Sequence, residues 1–131
     1  MAGGLLIVSL ALWLTACAST QSGPLEPIVV GGERYFRVEW QPDTRDGRPG
    51  VAGYVYNDWG LPAAGIRLLV DSLGPGGELL GQRIVTVGTL TPGTHAYFEA
   101  AVREPASAYR VRIFSWGWVL TEISARPRLL P

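Results

Sequence analysis

The sequence predicts an all-β fold: an immunoglobulin-like antiparallel β-sandwich of about seven strands, without a disulfide, behind a signal peptide. Three observations carry this. Apolar and polar residues alternate with period two in short runs from about Arg34 to Ala125. Seventeen Gly and ten Pro supply turn chemistry between those runs. Cys17 is the only cysteine, so no internal disulfide can form. The expected organisation is a signal peptide over 1–16, a flexible tether over 17–32 and the sandwich over 33–131.

The first element is an apolar run, Leu5 to Leu14, broken only by Ser9. As a helix it spans about 15 Å, half a bilayer core, which suits the central region of a signal peptide and not a stable membrane span. Leu14-Thr15-Ala16-Cys17 follows. This segment resembles the lipobox of bacterial lipoproteins. The resemblance implies that the Cys17 thiol carries a diacylglyceryl group and that the chain is cut before Cys17 and acylated, palmitate-like, on its new amino terminus. Met1-Ala2-Gly3-Gly4 departs from the family pattern in having no Arg or Lys. Ala18 follows the cysteine. By the same resemblance it favours the outer membrane over retention at the inner one, with the domain facing the periplasm. Two acyl chains hold a protein on a membrane stably, at about 0.8 kcal/mol per buried methylene. Ser19 to Pro27 is small, polar and Pro-containing, and reads as the tether.

The strands come next. The first is expected near Tyr35 to Trp40, and Asp43 to Pro49 reads as a polar turn. The second, Val51 to Asn57, has Val51, Gly53, Val55 and Asn57 on one face and Ala52, Tyr54 and Tyr56 on the other. The third, Gly65 to Leu73, groups Ile66, Leu68 and Val70 against Arg67, Leu69 and Asp71. Gly74 to Gly77 turns the chain into a fourth strand, Leu79 to Val87. Thr91-Pro92-Gly93-Thr94 turns it into a fifth, His95 to Val102, which groups Phe98, Ala100 and Val102. The sixth, Tyr109 to Trp116, groups Tyr109, Val111 and Ile113. The seventh is Trp118 to Ser124. Tyr109 stands where such sandwiches place a tyrosine corner; a plain half-buried strand tyrosine fits equally well.

Val51-x-Gly53-x-Val55-x-Asn57, Ile66-x-Leu68-x-Val70-Asp71-Ser72-Leu73 and Thr91-Pro92-Gly93 ahead of Phe98 look like the FxLYD-type group of bacterial extracytoplasmic β-sandwich domains. The likeness covers roughly Gly50 to Trp116. It implies a binding or scaffolding module with no shared catalytic set.

The sequence offers little for catalysis. His95 is the only histidine, and none of Ser72, Ser107, Ser115 or Ser124 sits in a Gly-x-Ser-x-Gly elbow. No cofactor and no metal are expected. Zinc needs three or four ligands, and Asp43, Asp46 and Asp58 lack the spacing of a calcium loop. Eleven cationic and eleven anionic side chains balance, so no basic excess points to nucleic acid.

What remains is aromatic and arginine-rich surface. Tyr54, Tyr56 and Tyr97 are expected to point outward on neighbouring strands. Arg110, Arg112, Phe114 and Trp116 are expected to share the outer face of the other sheet, beside Arg67 and Leu69. Trp59, in the loop before Gly60-Leu61-Pro62, is either a contact residue or a lid on the core. Tyr, Trp and Arg dominate binding hot spots. The expectation is a lipid-anchored, non-catalytic envelope protein held to the membrane through Cys17, binding a protein partner. The alternative is a carbohydrate- or peptidoglycan-binding domain using the same aromatics.

Overall fold

The computed structural model describes residues 3–4, 23–103 and 105–120. Where the sequence alternates, the chain forms strands: β1 (Phe36–Arg45), β2 (Arg48–Asn57), β3 (Ala63–Leu73), β4 (Leu79–Leu90), β5 (His95–Ala101) and β6 (Ala108–Trp118). They build two three-stranded antiparallel sheets, β1-β2-β5 (sheet I) and β4-β3-β6 (sheet II). The expected all-β sandwich is therefore observed, with the second and fifth strands as neighbours. Six strands lie within the described residues. Of the expected seventh, Trp118 closes β6, while Thr121 to Ser124 fall outside the described residues.

The polar stretch after Trp40 is not one long turn. β1 and β2 run on to Arg45 and back from Arg48, leaving only Asp46-Gly47 between them. Both turn residues have positive φ, 50° and 73°. That is the two-residue type I′ connection, whose twist matches that of a hairpin and which favours Asp-Gly. Pro42 lies within β1, an edge strand, where its missing N–H costs no interior ladder bond.

The core lies between the inner faces. Phe36, Val51, Val55, Phe98 and Ala100 of sheet I meet Ala63, Ile66, Leu68, Val70, Leu90 and Ile113 of sheet II. Asn57, fully buried, ends β2. Its amide donates to the carbonyls of Leu61 (2.8 Å) and Leu90 (3.0 Å), and its Oδ1 accepts from the Trp59 N–H (3.0 Å). The side chain thus replaces ladder partners for the β2–β3 loop, which is why a buried amide is tolerated there.

Sheet I is regular, whereas sheet II is bulged. The β3 register shifts between Ala63 and Ile66 against β4, and between Ala64 and Leu68 against β6. Gly65 and Gly88 have φ of 61° and 102° in this band, a conformation suited to glycine. Each strand changes phase there. Ala63 and Ile66, three apart, both face the core; so do Val87 and Leu90, and Ile113 and Trp116.

Candidate functional site

The two outer faces of the sandwich differ in what they leave open. On sheet II, β6 brings Arg110, Arg112 and Phe114 outward, beside Arg67, Leu69 and Asp71 of β3, as alternation predicts. Trp116 does not join them. The phase change after Ile113 turns it toward the core, where its ring lies 5.2 Å from Phe36 and 5.9 Å from Trp118, centroid to centroid. A bulge displaces every residue beyond it to the opposite face, and this corrects the expectation for Trp116.

The middle of this face is also closed. Leu69 and Asp71 have no exposed surface and Phe114 has 4%. The segment from Leu25 to Val29 is held on the sheet. Gln82 of β4 accepts the Leu25 N–H (2.7 Å) and donates to the Leu25 carbonyl (2.9 Å). Glu26 accepts from Arg112 (2.9 Å), and the Phe114 carbonyl accepts the N–H groups of Ile28 and Val29 (2.9 and 3.3 Å). The segment therefore crosses from β4 to β6 over the middle of β3. This corrects the tether expected over 17–32: from Leu25 onward the chain is docked, while Cys17 lies outside the described residues.

Asp71 is the centre of that closure. Its Oδ2 accepts from Arg110 and Arg112, each at 2.8 Å, and its Oδ1 accepts from Gln82 at 2.8 Å. Burial works against the Arg112 charge, but the bonds to Glu26 and Asp71 outweigh it and hold its pKa above the ordinary value. Arg67 donates to the Ser115 hydroxyl (2.8 Å) and lies over the Phe114 ring. The arginines and Phe114 proposed for recognition are thus committed to internal contacts.

Sheet I is different. Its register aligns Arg37, Tyr56 and His95 in one row across the outer face, then Glu39, Tyr54 and Tyr97, then Gln41, Ala52 and Glu99. Tyr54 and Tyr97 are 42% and 46% exposed. Tyr54 lies at the centre, 5.5 Å from Tyr97, 5.5 Å from His95 and 6.4 Å from Tyr56. The three tyrosines expected to share a face do so, joined by His95. Their rings meet at 49–74°, edge toward face, the arrangement favoured by aromatic quadrupoles.

Charges frame these rings. The Arg37 guanidinium sits 4.0 Å over Tyr56 and pairs with Glu39 and with Asp58 (3.3 Å). Arg45 pairs with Asp43 (3.0 Å) and Glu99 (2.6 Å) and donates to the Tyr97 hydroxyl (2.7 Å). Both guanidiniums are held above their ordinary pKa, Arg37 chiefly by Asp58 and Arg45 chiefly by Asp43. The Tyr56 and Tyr97 hydroxyls are raised too, first by loss of solvent. Below Tyr54 and Tyr97 the small Ala52 leaves a shallow concavity of about 470 Å³, bounded by Gln41 and Arg45.

Trp59 lies over the edge of the core, as a lid would. It is 47% exposed, and its ring packs edge-on to Tyr35 at 4.9 Å, beside Trp118. Among the described residues, no group of three His, Cys, Asp or Glu side chains is placed to hold a metal. The docked segment and the Asp71 cluster were missed by the sequence reading. A strand Asp facing two arginines two residues apart was the available signal. No family model, no curated protein and no solved structure matches the chain.

Proposed function

We propose that this chain is a lipid-anchored, non-catalytic module of the bacterial envelope that binds a protein partner through the outer face of sheet I. The carrying observation is that this face alone, of the two, leaves its aromatic residues accessible, with Tyr54 and Tyr97 nearly half exposed. Exposed tyrosines ringed by arginines and carboxylates have the make-up of an interface centre and its polar rim. Sugar binding draws on open ring faces. Here the Tyr56 face is taken by Arg37 and the Tyr97 hydroxyl is bonded to Arg45, so Tyr54 alone of the three has no arginine on it, where a sugar platform wants more than one open ring. The protein-binding reading is therefore preferred over the glycan reading.

The anchor reading rests on the lipobox-like Leu14 to Cys17. Docking from Leu25 sharpens its consequence. Seven residues separate Cys17 from Leu25, a reach of about 27 Å fully extended. A domain so held stays close to its membrane, and its effective concentration toward a partner there rises. The test is crosslinking in intact cells, then membrane extraction and identification of what is attached. Tyr54→Ala with Tyr97→Ala should abolish a recurrent protein adduct, and Arg110→Ala should leave it. Recovery of glycan fragments, or an adduct indifferent to both tyrosines, would sink the reading.

A further inference from the structure

The sheet I face also specifies the chemistry of its partner; this inference rests on the protein-binding reading above. Two guanidiniums on the face are each shared between two carboxylates: Arg37 between Glu39 and Asp58, Arg45 between Asp43 and Glu99. Arg48, the register partner of Arg45 on the outward alternation of β2, is a third cation, so four carboxylates meet three guanidiniums and the face carries one more negative charge than positive. Its rings follow a pattern as well. Arg37 lies over Tyr56 and Arg45 lies beside Tyr97, 5.9 Å from the centroid. Among the described residues no cation lies over Tyr54, the central ring. Tyr54 sits in register between Glu39 and Tyr97 and borders the concavity over Ala52.

We infer that this concavity receives an arginine or lysine side chain of a basic partner segment, packed against Tyr54 and Tyr97 and neutralised by Glu39 on its lining, with Glu99 beside Ala52 in register adding to the field. A cation there gains from the ring quadrupole and from the carboxylate surplus together. Ala52 provides the room: it is the one small side chain among the outward residues of its row and the row above. A guanidinium suits the site better than an ammonium, because it stacks on a ring and pairs with a carboxylate at once. The raised Tyr56 and Tyr97 hydroxyls fit the same negative setting, since Glu39 and Glu99 contribute to them after desolvation.

The test titrates the full chain in detergent with a capped Arg-Ser-Arg peptide and with its citrulline counterpart, which keeps the shape and loses the charge. The Ala52 methyl and the Tyr54 and Tyr97 ring resonances are followed by NMR. Saturable shifts at these residues are expected with the arginine peptide only. Glu39→Gln and the notch-filling Ala52→Leu should each weaken binding about two- to five-fold, the loss of one exposed cation contact. Thermal melts confirm that both variants fold. Equal shifts with citrulline, shifts centred elsewhere, or none that saturate would overturn the inference. The crosslinking experiment separates the two levels. An adduct lost with the tyrosines but unchanged by Glu39→Gln and Glu99→Gln leaves the interface and removes its cationic partner. An adduct indifferent to all four removes both.

Discussion

The two outer faces are built from similar residues and come to opposite ends. Both carry aromatics, arginines and carboxylates on alternating strand positions. On sheet II a buried carboxylate gathers two arginines and a glutamine, and the chain's own residues 25–29 close over them. On sheet I the ion pairs lie at the rim, half exposed, and the aromatic centre stays in water. A buried ion pair is costly to break because it strands its partner, whereas an exposed one contributes little. One face therefore serves stability and the other keeps its aromatic centre open to solvent.

The largest effect that tests this contrast is Asp71→Ala. It leaves Arg112 without its buried partner and should cost about 3 kcal/mol, the low end for a broken buried pair because Arg110 and Arg112 keep some solvent. Denaturant unfolding measures it. A loss under 1 kcal/mol would mean that the cluster does not hold the domain. Next comes Gln82→Ala, which removes the clamp on Leu25. It should cost about 1 kcal/mol and speed hydrogen exchange at the Ile28 and Val29 amides, leaving β2 amides protected. Uniform exchange across the domain would show that the segment has no separate opening.

On sheet I the order of effects reverses. Tyr54→Ala should change stability by less than about 1 kcal/mol, the worth of an exposed cross-strand pair, yet abolish the partner adduct. Stability lost together with the adduct would make the tyrosines structural. The smallest effect is alkaline. Tyr56 and Tyr97 have folded pKa values raised above the unfolded value, so they favour the fold while neutral. Their contribution is complete below pH 10 and is lost as pH rises through the higher folded values. Tyr56→Phe with Tyr97→Phe should flatten the part of an unfolding profile that lies above pH 10. A profile unchanged by the pair would assign the alkaline loss to other groups.

Legibility in the sequence divides along the same line. Sheet I was readable in the faces of β2 and β5: these strands are regular, so period two carries each side chain to the face expected of it. The turn at Asp46-Gly47 was overestimated because polar residues on an edge strand look like loop. Sheet II was readable only up to its bulges. The inward placement of Ile66, Leu68, Val70 and Ile113 was legible, but beyond Gly65 and Ser115 the phase changed, and Trp116 went to the core with it. Glycines inside strands at 65 and 88 were the local signal, since they mark bulges.

By itself the sequence determined the all-β class, six of the seven strands expected of it, most core residues of both sheets and the shared face of the three tyrosines. Each follows from a short-range pattern: alternation chooses the face, and turn chemistry chooses the connection. Tertiary structure decided which face remained open. That outcome depends on contacts between residues far apart in the chain, Leu25 with Gln82 and Glu26 with Arg112, and on a carboxylate at Asp71 whose burial exists only once three strands and the incoming segment are assembled. No local pattern encodes such a meeting, because the free energy that favours it arises from desolvation and pairing together.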